Sequence, residues 1–144
     1  MSFYTPSKLP DVATETITSL GQSIDLVGMT NIQLPIMIEV QNEVKTVLSR
    51  CNVFVNLCKE KTRGIHMSRL YNIVIEKTQQ NKIDLNTLPE LLSLLIQSHS
   101  KYSTHAKLEF SFDLCLKQSS LLSNLEGFRY YPITISAEKN NTKT

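Results

Sequence analysis

From Ile32 onward the chain alternates: Ile32, Leu34, Ile36, Ile38 and Val40 share one parity, and Asn31, Gln33, Pro35, Met37 and Glu39 the other. A period of two is that of a half-buried strand. Pro35 has no N–H to give to a ladder, so the pattern predicts that this strand lies at an edge or bulges there. Polar residues 41–43 make a short connection. A second strand-like run follows, with Val47, Cys51, Val53, Val55 and Leu57 as its apolar set. Together the two runs predict a hairpin.

The period then changes. Leu70, Ile73 and Val74, with Met67 one turn earlier, predict a helix over 68–79. Ser68 is its candidate cap, although Tyr71 stands where a capping box places Glu or Gln. Residues 80–84 break the pattern. Thr87 and Glu90 then form an S/T-x-x-E capping box, with Pro89 in the first turn, where a missing N–H costs little. Leu88, Leu91, Leu92, Leu95 and Ile96 give this second helix one apolar face, and it is expected to end between 99 and 103. Alternation returns in Leu108, Phe110, Phe112, Leu114 and Leu116, against Glu109, Ser111, Asp113, Cys115 and Lys117. After a loop over 118–127, the run 128–137 places Tyr131, Ile133, Ile135 and Ala137 on one face.

The predicted fold is α+β in the order β-β-α-α-β-β, an antiparallel sheet with both helices on one face. Residues 1–24 show no sustained period and read as an irregular arm, 25–137 as a single domain, and 138–144 as a polar tail. Outer strands of such a sheet present unpaired N–H and C=O groups, and its second face carries Met37, Phe54 and Tyr130. Oligomerisation into a closed barrel would satisfy both.

Composition narrows the function. A chain of 144 residues that is 41% hydrophobic and 19% charged is globular rather than disordered. Its net charge of +2 does not call for nucleic acid, and Arg129 among Tyr130 and Tyr131 is a lone basic-aromatic group. No run approaches the roughly 20 apolar residues of a membrane helix. The first twelve residues lack the apolar core of a secretory signal, so a cytoplasmic protein is expected. Cys51, Cys58 and Cys115 are odd in number and contain no C-x-x-C pair, against a disulfide framework or a closed zinc site. His99 and His105 flank a helix C-terminus, where a cationic imidazole is favoured without any metal. Glu109 and Asp113 share a strand face in the pattern of solvated carboxylates.

The chemistry concentrates in "RGIHMSRL" at 63–70. Two readings fit it. One is a solvated loop with a helix start. The other is an anion site, because a loop entering a helix offers cations and free N–H groups together. The segments "LPDV" at 9–12, "VGMTNIQLPI" at 27–36 and "RGIHMSRL" resemble the N-terminal half of the prokaryotic GTP cyclohydrolase IB family, which has the tunnelling fold. His66, Met67, Ser68 and Arg69 match that family's K-G-T-H-M-S-R-F, whereas Arg63, Ile65 and Leu70 depart from it. "KQSSLLSNLEGFRYYPITI" at 117–135 also resembles a family segment, with Leu121-Leu122-Ser123-Asn124 replacing the usual Pro-Val-Ser-Gly.

The resemblance implies conversion of GTP to 7,8-dihydroneopterin triphosphate and formate for folate synthesis. It implies triphosphate contacts from Arg63, His66, Ser68 and Arg69, with Lys61 close by in sequence and His66 orienting the substrate. It further implies a divalent metal (zinc, manganese or iron) in the complete enzyme. The family's C-P-C-S-K segment, and the later histidines and glutamate, do not occur in these residues, so no metal ligand is identified. A fragment, one partner of a split enzyme and a decayed copy are the readings this leaves, each inactive alone. The expected partners are GTP and either a second copy or a complementary C-terminal half, with neither nucleic acid nor membrane. A non-catalytic tunnelling-fold subunit with a structural or regulatory task is the alternative.

Overall fold

The computed structural model describes residues 11–19, 22–56, 67–98, 103–119 and 126–140. Its elements are β1 (Asp11–Ser19), β2 (Gln22–Val40), β3 (Glu43–Asn56), α1 (Met67–Gln80), α2 (Thr87–Ser98), β4 (His105–Ser119) and β5 (Glu126–Asn140). All five strands pair antiparallel in the order β1-β2-β3-β4-β5. Four strands and two helices in the order β-β-α-α-β-β are thus present as predicted, with one strand added before them. That addition corrects the reading of 1–24 as an irregular arm, since Asp11–Ser19 pairs with residues 22–30. The polar tail also begins later than expected, because β5 runs to Asn140.

One face of the sheet buries Ile32, Leu34 and Ile36 from β2, Cys51, Val53 and Val55 from β3, and Leu108 and Phe110 from β4. These meet Leu70 and Val74 of α1 and Leu91 and Leu95 of α2, all fully buried. Both helices therefore serve one core, on one side. Alternation in the strands and one buried stripe along each helix are what make that single interface possible.

Two backbone features set the register of β2. At Asn31, φ is 60°, and the ladder shifts between Met29↔Val53 and Ile32↔Cys51, so β2 holds one extra residue there. The bulge inverts parity. It puts Met29 on the same buried face as Ile32, and the Asn31 N–H is held by Asn52 Oδ1 at 3.1 Å. At the other end Gln41 and Asn42 both have positive φ (53° and 64°) between the paired Val40 and Glu43. Positive φ at both central residues is the two-residue hairpin turn whose twist matches the strands.

Pro35 meets the expectation of an edge. β1 covers β2 only as far as Thr30. Beyond it, Met37 turns its carbonyl away from β3, where Ile83 N–H donates to it at 2.7 Å. Pro35 has the same parity as Met37, so its missing N–H falls on the side away from β3, where no described strand pairs with it. Gly28 has the opposite kind of constraint. A Cβ there would overlap the carbonyl oxygen of Val53 and lie 2.7 Å from Phe54 Cα.

The start of α2 corrects the expected capping box. Asp84, not Thr87, is the cap: its Oδ1 accepts from the N–H groups of Asn86 and Thr87, each at 2.8 Å. Thr87 Oγ1 accepts the Asp84 N–H in return at 2.9 Å. The box is therefore D-x-x-T, one turn before the T-x-x-E read from the sequence. These bonds hold the Asp84 carboxyl below its usual range, the Thr87 N–H first among the causes.

Candidate functional site

β3 ends at Asn56 and α1 begins at Met67, so "RGIHMSRL" straddles the start of a helix. Ser68 and Arg69 lie in the first turn of α1, and both are exposed. Ser68 is inside the helix rather than at its cap. No acidic residue occupies that turn, so the first turn supplies no carboxylate of its own to the N–H groups at the positive end of the α1 dipole. Arg63 and His66 lie outside the described residues, as do Lys61 and Cys58. The structure therefore brings together two of the four predicted contact residues, on one helix end.

Arg69 has a partner in the fold. Its Nη1 donates to the carbonyl of Ser98 at 2.7 Å. Ser98 is the last residue of α2, whose final carbonyls lack helical N–H donors. A guanidinium there neutralises the negative end of one helix from the first turn of another.

A polar knot that sequence reasoning missed lies where β3 gives way to residue 57. Asn56 is buried; its Oδ1 accepts the N–H groups of Thr104 and His105, each at 2.9 Å, and its Nδ2 donates to Thr104 Oγ1 at 3.2 Å. Ser103 Oγ donates to the Asn56 carbonyl at 2.6 Å. His105 Nε2 lies 2.7 Å from Glu138 Oε2, while its buried Nδ1 has no partner among the described residues. Asn56 ties the root of 57–66 to the far root of 99–102, and Arg69 ties the other two roots together. Both connections thus start and finish at fixed points. An Asn set between Val55 and Leu57 in an otherwise apolar run is the sequence signal that could have pointed here.

Cys51 and Cys115 carry no chemistry among these groups. Cys51 is fully enclosed in the core, and burial, with a smaller contribution from Glu109, pushes its thiol far up. Cys115 is half-buried on the opposite face, next to Tyr130 in the ladder. Among the described residues no three His, Cys, Asp or Glu side chains are grouped to hold a metal ion. The described residues do not fit one. Among the same residues no helix is long and apolar enough to cross a membrane.

A model of the type I GTP cyclohydrolase FolE2 family matches residues 9–144. The chain belongs to that family. It is 37% identical over 133 residues to the GTP cyclohydrolase FolE2 of Bdellovibrio bacteriovorus, covering 92% of this chain and 44% of that protein. It is 37% identical over 138 residues to the FolE2 of Citrobacter koseri (94% and 44%) and 35% identical over 133 residues to that of Hydrogenovibrio crunogenus (92% and 43%). The chain spans less than half the length of these FolE2 relatives.

Proposed function

We propose that residues 1–144 form the substrate-holding part of a GTP cyclohydrolase of the prokaryotic IB type, acting in the cytoplasm on GTP for folate synthesis. The observation that carries this reading is the family match over 9–144, which includes the helix start at 67–70. In this reading Arg63, His66 and Ser68 engage the triphosphate. Arg69 joins them with the guanidinium N–H groups that Ser98 does not use. The α1 N-terminus adds its free N–H groups, which need no proton transfer to hold an anion. His66 orients the phosphates so that the purine reaches the reacting centre.

The reaction opens the imidazole ring of GTP, releases C8 as formate and recloses the skeleton as a pterin. A divalent metal (zinc, manganese or iron) belongs to the complete enzyme, on residues that this sequence does not contain. Residues 1–144 alone are therefore inactive, and a complementary C-terminal half restores turnover.

Pterin fluorescence from GTP tests this. Residues 1–144 with zinc, manganese or iron should give none. Mixing them with the C-terminal remainder of a FolE2 relative should give a signal that Arg63→Ala diminishes. Turnover by 1–144 alone would overturn the division of labour. A second reading, a non-catalytic subunit, draws on the departures at Arg63, Ile65, Leu70 and 121–124; it predicts no signal from the mixture.

A further inference from the structure

The β3–β4 ladder ends at Val55↔Ala106. Asn56 follows it, and the N–H groups of Thr104 and His105 both go to its side-chain Oδ1. This end of the sheet is enclosed. Asn56, Ser103 and His105 are each no more than 8% exposed, and Leu26, opposite Asn56 in the β2–β3 ladder, is fully buried with Phe54 close to it in sequence. Water therefore offers no substitute for the Asn56 amide, and an apolar side chain there would leave two N–H groups without a partner. A polar group paired in such surroundings specifies a single course for the chain.

The brace extends to both sides. His105 is bound through its imidazole to Glu138 of β5. Ser103 Oγ holds the Asn56 carbonyl at 2.6 Å, the last main-chain acceptor before residue 57. On the other side of 57–66, α1 begins at Met67, and its Arg69 is bonded to the Ser98 carbonyl.

We propose that Asn56, braced by Ser103, is a positioning residue for the triphosphate. The role rests on the reading above, in which Arg63 and the α1 start hold the phosphates. Asn56 and Ser103 are buried and act only through the residues that follow Asn56. A segment held at both ends has fewer positions open to it than one held at a single end, so it loses less freedom when its ligand binds. Releasing Asn56 frees the end nearer to Arg63 in sequence while α1 stays in place.

A double-mutant cycle with Arg63 tests this, because a residue that acts through another loses its effect once the other is gone. The readout is calorimetry of GTP into residues 1–144 at low salt, with circular dichroism to establish that each variant is folded. Asn56→Ala should weaken GTP binding about tenfold, but by less than about twofold in the Arg63→Ala background. Ser103→Ala removes one hydrogen bond and keeps the two at Oδ1, so it should show the same pattern with a loss of about threefold. It decides the matter if Asn56→Ala does not fold. A role in stability alone would lower the melting temperature and leave the affinity of the folded protein unchanged. Unchanged affinity in the folded variant, or an equal loss in both backgrounds, overturns the proposal and leaves the reading of Arg63 intact. If Arg63→Ala alone binds GTP like the wild type, that reading fails and the positioning role fails with it.

Discussion

Gly28 tolerates least. A methyl group at its Cα would occupy the place of the Val53 carbonyl oxygen, and the central pairing of β2 with β3 cannot yield without losing its ladder. Gly28→Ala should lower stability by about 2–3 kcal/mol, read as a shifted urea midpoint with an unchanged slope. Asp84 gives a pH signature. Its folded-state value is depressed by the Thr87 and Asn86 N–H groups, so its contribution is complete above the usual carboxylate range. It is lost as pH falls through the folded value. Asp84→Asn should therefore melt below the wild type at neutral pH, and the gap should close in acid. Thr87 drew attention to this helix start through the wrong partner. Thr87–Glu90 has the usual S/T-x-x-E form, whereas Asp84–Thr87 carries Thr where Glu or Gln is usual, and only the position of the first turn decides between them.

At the scale of elements, alternation carried most of β3, β4 and β5 because each keeps one parity throughout. It failed before Ile32 for a physical reason. The extra residue at Asn31 reverses the parity of β2, so Val27 and Met29 break the series that begins at Ile32. β1 was not legible because Asp11–Ser19 is rich in Thr and holds no apolar series. The Gln41–Asn42 turn can be improved, since Gln gains nothing from positive φ. Replacing the pair by Asn-Gly (Q41N/N42G) should raise stability by about 0.5–1 kcal/mol in thermal melts, the scale of strain that glycine relieves. The helix pair offers a separation of roles. Arg69→Ala removes the bond to Ser98 and should cost about 0.5–1 kcal/mol of stability as well as affinity for GTP. Arg63→Ala should cost affinity alone. If Arg69→Ala melts like the wild type, the Ser98 contact does not hold the helices.

For the whole molecule, the sequence disclosed the family through motifs and the architecture through periodicity. It disclosed the surroundings of the site poorly. The knot of Asn56, Ser103, Thr104, His105 and Glu138 joins residues up to 82 positions apart in a chain of 144, and no local pattern reports a contact across that separation. Arg69 was singled out for its charge, yet what the fold shows is its bond to the end of α2. The central claim is that the start of α1, with Arg63 before it, takes hold of a triphosphate. Titration calorimetry of GTP into residues 1–144 at low salt, where exposed phosphate contacts are least screened, tests it most directly. The account predicts binding by the wild type and binding by Arg63→Ala about ten- to a hundredfold weaker, as expected for one lost charge-assisted hydrogen bond of about 1.5–3 kcal/mol, with unchanged melting temperature. Equal uptake of GTP by the two proteins, or uptake by neither, would contradict it.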